Sequence, residues 1–304
     1  MTHCTPNATL RLPEALRRRL GRSDEVHPLQ RILRAHDLHT VCEEARCPNR
    51  AECFSHGTAT FMICGDRCTR SCHFCNVTTA RPYALDPHEP EKLARAATLM
   101  SLNHVVITSV DRDDLPDGGA AHWAACIRAV RQALPQATVE VLTPDFKGRT
   151  EHLDVVLEAG PHVFNHNIET VPRLYHSLRP QSYFDTSIRV LRHAAGFGGK
   201  RKSGLMVGLG ESDDEVFATL ETLAEVGLDI ATVGQYLRPT LQHWEVHRYV
   251  SQESFDAFKA HGERAGIPVV FSGAFVRSSY HAGETFLELK ARPTPSPGRL
   301  TVLP

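Results

Sequence analysis

Thr60-Phe-Met-Ile-Cys64-Gly-Asp-Arg-Cys68-Thr-Arg-Ser-Cys72-His-Phe-Cys75 is the stretch on which the fold turns. Thr60 to Ile63 reads as a short buried strand, and three closely spaced cysteines follow it directly. Short apolar runs like the first recur at Val105 to Ser109, Val139 to Thr143, Val163 to Asn167, Gly204 to Gly208 and Ile230 to Leu237. Segments of helical period lie between them: Pro90 to Ser101, Gly119 to Leu134, Thr150 to Ala159, Thr186 to Ala195 and Asp213 to Val226. A last helix, Ser254 to Ala265, precedes Val269 to Phe271. Strands alternating with helices at this spacing predict βαβ units and a parallel sheet, either a barrel or an open doubly wound sheet.

Polar residues favour the barrel. They gather after the C-terminal ends of several strands: Asp111, Arg112, Asp113 and Asp114; Asp145 and Lys147; Asn165, Asn167 and Glu169; Glu211; Gln235 and Arg238. Barrel enzymes build their sites at that rim, and the Cys68–Cys75 run falls at the same mouth. The expected architecture is a partial (β/α)6 TIM-type barrel over residues 57–272. An N-terminal extension (1–56) and a C-terminal segment (273–304) flank it, the latter ending in a Pro-rich tail.

The chain has 304 residues, a formal net charge of −1 and nine cysteines. Near-neutral charge gives no global field for nucleic acid, and no apolar run is long enough to span a membrane. No charged-then-apolar signal segment opens the chain, and Glu14, Asp24 and Glu25 count against a mitochondrial presequence among the early arginines. A cytoplasmic protein is expected, and a monomer requires no further assumption. An odd, clustered set of thiols argues for metal rather than disulfides.

A second trio stands upstream in Cys42-Glu-Glu-Ala-Arg-Cys47-Pro-Asn-Arg-Ala-Glu-Cys53. Two triplets of different spacing suggest two metal clusters, each one ligand short of four. Zinc wants a closed set of four, and a second Cys/His pair to match Cys72 and Cys75 is not evident. A cubane held by three thiolates leaves one iron open to a small molecule. Cys64 reads as a strand-end residue rather than a ligand, and Cys126 as a small buried apolar residue.

The Cys-x3-Cys-x2-Cys run, with Phe74 before its last cysteine, resembles the signature of the radical S-adenosylmethionine superfamily. Within it the chain resembles the lipoyl synthase family. The shared blocks include the upstream trio, Thr108-Ser-Val-Asp-Arg-Asp-Asp-Leu-Pro-Asp-Gly-Gly-Ala and Phe164-Asn-His-Asn-Ile-Glu. Lys202-Ser-Gly-Leu-Met-Val-Gly-Leu-Gly-Glu and Arg277-Ser-Ser-Tyr-His-Ala are further blocks, and the resemblance runs over roughly residues 40 to 282. The resemblance implies two [4Fe-4S] clusters and S-adenosylmethionine. One cluster is held by Cys68, Cys72 and Cys75. The auxiliary cluster is held by Cys42, Cys47, Cys53 and a serine of the Arg-Ser-Ser-Tyr motif, assigned to Ser279 with Ser278 next. Without the family, these serines would read as turn caps.

The implied reaction inserts two sulfurs, at C6 and C8, into an octanoyl chain held as a lysine amide. The carrier is a lipoyl domain or a glycine-cleavage H-type protein. Hydrogen is removed by 5′-deoxyadenosyl radicals, and the auxiliary cluster donates the sulfur. An alkoxide ligand is a poor match for iron in a sulfide cube, which suits a cluster that is consumed. The resemblance also implies an electron donor such as ferredoxin or flavodoxin and an iron–sulfur carrier that rebuilds the spent cluster. Asn165, Asn167 and Glu169 are candidates for the ribose or amino-acid part of S-adenosylmethionine, or else for a polar barrel layer. Gly208, Gly210 and Glu211 are candidates for close backbone approach to it, though a lone Gly-x-Gly is often only a turn. Asp111 to Asp114 read as substrate-positioning residues or a solvated loop, and Arg277 as a support for the auxiliary site. Glu245, Gln252 and Cys64 depart from the family's usual pattern.

Overall fold

The structure, a computed structural model, describes Pro13, His39–Thr40 and residues 59–279. Its main sheet runs β1 (His39–Thr40), β2 (Thr60–Ile63), β5 (His104–Ser109), β6 (Thr138–Leu142), β7 (Val163–Asn165), β8 (Lys200–Val207), β9 (Ile230–Gln235) and β10 (Val269–Gly273), neighbours in that order. From β2 to β10 every pairing is parallel. Only β1 is antiparallel, with His39 opposite Met62. The order follows the chain without reversal. That is the winding of a barrel; a doubly wound sheet turns back at a switch point. Among the described residues no pairing joins β10 back to β1 or β2, so the barrel is partial. A small ribbon of β3 (Arg67–Cys68) and β4 (Thr78–Thr79) brackets the cysteine loop.

Helices fill the crossovers: α1 (Glu89–Leu99), α2 (Ala120–Ala133), α3 (Thr150–Glu158), α4 (Tyr175–Leu178), α5 (Phe184–His193), α6 (Asp213–Glu225) and α7 (Gln252–Ala265). Their ends are written locally. Pro90 and two acidic residues open α1, favouring the helix start and its dipole. Ser212 and Glu215 form a reciprocal capping box on α6, and Ser251 caps α7, which Gly266 ends in the left-handed region. The apolar face of each helix packs on the sheet, burying Trp123, Ile127, Leu220, Phe255 and Phe258 against Phe61, Ile107 and Val233. Each such large side chain contributes about 1.5–3 kcal/mol on burial.

The expected six βα units are present, followed by a seventh parallel strand. The main difference is β8, which begins at Lys200 rather than Gly204. Its first residues, Lys-Arg-Lys-Ser, lack an apolar pattern because Lys202 is a buried cation paired with Glu140 of β6 at 2.9 Å. His104 joins that carboxylate at 3.2 Å. This ion cluster fills the interior near the N-terminal end of the barrel. Lys202 charge and the His104 hydrogen bond outweigh burial and hold the Glu140 carboxyl down at about 2.

Candidate active site

The loop after β2 carries Cys68, Cys72 and Cys75 at the C-terminal mouth of the sheet, all as free thiols. Arg70, buried between the first two, pins this loop. Its guanidinium donates to Asp145 Oδ1 (2.7 Å) and Oδ2 (2.9 Å) after β6, to both Asp113 oxygens (2.8 and 3.0 Å) after β5, and to Ser182 Oγ (3.0 Å). Burial alone would raise the Asp145 carboxyl; Arg70 overrides it and holds the group at about 2. Thr69 Oγ1 donates to the Asp111 carbonyl at 3.0 Å. Cys68 Sγ accepts backbone N–H bonds from Arg70 (3.4 Å) and Asp111 (3.3 Å).

Asp111 and Asp113 therefore clamp the loop, while Asp114 at the end of the run is exposed. Arg112 is buried and donates to the carbonyls of Cys64 and Tyr83 and to Asp114. The segment after β9 covers the other side. Trp244 donates its backbone N–H to the His73 carbonyl and its indole N–H to Leu209 O, each at 2.9 Å, and its ring stacks on His73. His243 Nε2 lies 3.1 Å from Cys75 O. Of the departures from the family pattern, Glu245 and Gln252 are exposed, Gln252 bonding Asp256 along α7.

Burial pushes the Cys68 thiol up to about 11, with Asp111 adding to the effect, and burial also raises Cys72. At neutral pH these groups become thiolates only beside a strong positive centre, as a coordinated thiol does. Deeper in the mouth, Arg179 is buried and its Nε has no hydrogen-bond partner among the described residues. The Asn167 Oδ1 is likewise buried and unpartnered among them. Glu169, half-buried in the left-handed region at φ 66°, has its carboxyl raised by burial against the pull of Arg179. Three thiols, a buried guanidinium, an amide oxygen and a carboxyl at one mouth fit an iron–sulfur cube together with an amino-acid ligand.

Arg179 starts a single-direction file of donors. Its Nη1 donates to Tyr175 OH (2.7 Å), Tyr175 to Ser187 Oγ (2.6 Å), and Ser187 to His166 Nε2 (2.9 Å). With the imidazole proton on Nδ1, His166 donates to Thr143 O at 2.9 Å. Burial holds this imidazole neutral, its pKa lowered to about 4.

The remaining expected residues divide. Asn167 Nδ2 donates to Ser278 Oγ at 2.7 Å, so the start of the C-terminal segment reaches the barrel mouth. Asn165 instead turns its amide toward Glu140, 3.4 Å away, in the buried ion cluster. Glu211 accepts the backbone N–H groups of Gly208 (2.7 Å) and Leu209 (2.8 Å), tying the Gly208-Leu-Gly-Glu211 turn shut. A Cβ on Gly208 would lie 2.5 Å from Arg248 O, so only glycine fits there. Arg277 Nη1 donates to the Val276 carbonyl at 2.6 Å. Ser279 is described and half-buried, whereas Cys42, Cys47 and Cys53 lie outside the described residues. Residues 276–278 rest on bare backbone. A Cβ on Gly234 would meet Val276 O at 2.1 Å, and one on Gly204 would meet Ser278 Oγ at 3.1 Å. Sequence reading missed this crossing and Arg179; the isolated glycines within strands were the available signal for the crossing.

The fold and this loop define the class. The Radical SAM superfamily profile matches residues 62–223, more than half of the chain. Among solved structures, Streptococcus suis SuiB bound to S-adenosylmethionine aligns with a TM-score of 0.57 at 12% identity, over 74% of this chain and 53% of SuiB. Methylornithine synthase aligns at 0.52 with 16% identity, over 90% of each chain. These two show a shared fold. Sequence relatives narrow the class. The lipoyl synthase of Bacteroides thetaiotaomicron is 50% identical over 273 residues, 90% of this chain and 97% of the relative. That of Methylococcus capsulatus is 53% identical over 282 residues, 92% and 88% of the two chains. The chain belongs to the lipoyl synthase family.

Proposed function

We infer that this chain is a sulfurtransferase that inserts sulfur at C6 and C8 of an octanoyl group carried as a lysine amide on a lipoyl carrier protein. The observation that carries the reading is half-identity to lipoyl synthases over nine-tenths of the chain, with all three loop cysteines free at the barrel mouth. When bound, S-adenosylmethionine and two [4Fe-4S] clusters supply radicals strong enough to take hydrogen from unactivated carbon and supply the sulfur that replaces it.

Cys68, Cys72 and Cys75 hold one cluster in this proposal, and Arg70 fixes the loop that presents them. Asn167 and Glu169 orient the amino-acid and ribose parts of S-adenosylmethionine, and Gly208 and Gly210 bring the chain close to it. Glu211 acts through the turn it closes. Asn165 serves the polar layer beneath. Cys42, Cys47, Cys53 and Ser279 hold the auxiliary cluster. Ser278 is the less apt ligand because its hydroxyl already serves Asn167. An H-type or lipoyl-domain carrier, a ferredoxin or flavodoxin donor, an iron–sulfur carrier, a monomeric state and a cytoplasmic location complete the reading. No helix among the described residues is long and apolar enough to cross a membrane.

The test uses full-length protein reconstituted without oxygen and an octanoyl-lysine carrier peptide. Wild type forms 5′-deoxyadenosine and adds two sulfurs to the peptide. Cys68→Ala abolishes both. Cys42→Ala, Cys47→Ala or Cys53→Ala retains 5′-deoxyadenosine formation and loses sulfur addition; undiminished thiolation in these variants defeats the reading.

A further inference from the structure

Cys64 belongs to neither cysteine triplet, yet its thiol does not sit among apolar groups alone. It lies at the end of β2, where the chain turns into the left-handed region at φ 68°. Opposite it are Glu89, the first residue of α1, and His122, in the first turn of α2. The Cys64 sulfur, a Glu89 oxygen and a His122 nitrogen all lie within 4.8 Å of one another. Cys64 is 3% exposed, and the His122 and Glu89 side chains are 9% and 12% exposed. His122 Nε2 lies 2.5 Å from Glu89 Oε2, which also accepts the Cys64 backbone N–H at 2.8 Å. Cys126 stands one turn beyond His122 on α2, also buried.

We propose that Cys64, Glu89 and His122 form a separate binding site for one thiophilic divalent ion of the zinc class. Thiolate, imidazole and carboxylate are the three donor types zinc accepts, and three protein ligands leave a fourth position for water. The single sulfur argues against another iron–sulfur cluster, and the mixture of sulfur and nitrogen argues against calcium or magnesium. An imidazole–carboxylate pair alone would account for Glu89 and His122. It leaves unexplained why the neighbouring strand end directs a thiol, rather than an aliphatic side chain, at the same carboxylate. Burial and Glu89 together push this thiol's pKa far up, so it stays neutral until a cation replaces its proton. The ion would join the ends of three elements only four positions before Cys68. It would act as a clip at the root of the cluster loop.

The experiment uses the full chain with its iron–sulfur clusters reconstituted, then dialysed against zinc and counted by mass spectrometry. Wild type is expected to hold about one zinc per chain. X-ray absorption at the zinc edge should give one sulfur at about 2.3 Å beside nitrogen and oxygen neighbours at about 2.0–2.1 Å. Cys64→Leu and His122→Gln should each weaken zinc binding at least ~10-fold against a chelator, with iron content unchanged. An absence of retained zinc, a sulfur-only shell, or wild-type retention in both variants overturns the proposal. If a variant fails to fold, the zinc shell of the wild-type protein still decides.

Discussion

Arg70 Nη2 and Asp145 Oδ1 meet at 2.7 Å, both all but excluded from solvent. The pair ties the middle of the cysteine loop to the end of β6, so the position of the thiols is set by the sheet rather than by the loop itself. A fork that also spans Asp113 and Ser182 needs five fixed donors, which lysine lacks. Arg70→Lys should therefore retain the fold but lower loop-cluster iron and cut S-adenosylmethionine cleavage at least ~10-fold. Arg70→Ala strands the buried Asp145 carboxylate and should cost about 3–5 kcal/mol by urea denaturation. Full iron loading and normal cleavage in Arg70→Lys would remove the loop-setting role.

The Glu140–Lys202 pair predicts a non-additive double mutant. Lys202→Met leaves a buried carboxylate with only His104 and the Asn165 amide beside it among the described residues and should destabilise by about 3–5 kcal/mol. Adding Glu140→Gln should recover more than half of that loss, because the uncompensated charge goes with it. Additive losses in urea melts would show that the two side chains act independently.

His166 predicts a pH dependence. Its folded pKa is lowered to about 4 from the ordinary 6.5, so the unfolded chain binds the proton first as pH falls. The stability from keeping it neutral is fully present above about pH 6.5 and is lost between there and about pH 4, at about 1.4 kcal/mol per pH unit. His166→Gln should flatten that part of the stability profile. An unchanged slope between pH 6.5 and 4 in the variant would assign the dependence elsewhere.

Gly234→Ala tests the C-terminal crossing. The added methyl meets a backbone carbonyl, which cannot swing aside as a flexible side chain would. We expect the 276–279 segment to shift, auxiliary-cluster iron to fall and sulfur addition to drop at least ~10-fold, while 5′-deoxyadenosine formation persists. Equal loss of both activities would place the damage in the barrel instead.

The barrel was legible because its apolar runs and helical periods are local properties, and most predicted elements lie within a few residues of those observed. The start of β8 was not, since Lys200 and Lys202 face partners that only the assembled sheet supplies. Asn165 and Asn167 look equivalent in sequence, but one serves the ion cluster below and the other the mouth above. Arg112 read as part of a substrate-positioning run or a solvated loop; its burial depends on carbonyls contributed by Cys64 and Tyr83, far away in the chain. The three free thiols at the mouth could be read from spacing. The groups that hold them still could not.

The file from Arg179 through Tyr175 and Ser187 to His166 has one further consequence. A guanidinium does not surrender its proton in water at any ordinary pH, so the file has no source at its upper end. Its lower end is a peptide carbonyl, which offers no sink. Protons cannot hop along it. Arg179 therefore keeps its positive charge toward Cys72 across the neutral range, and this file offers no proton route to that thiol.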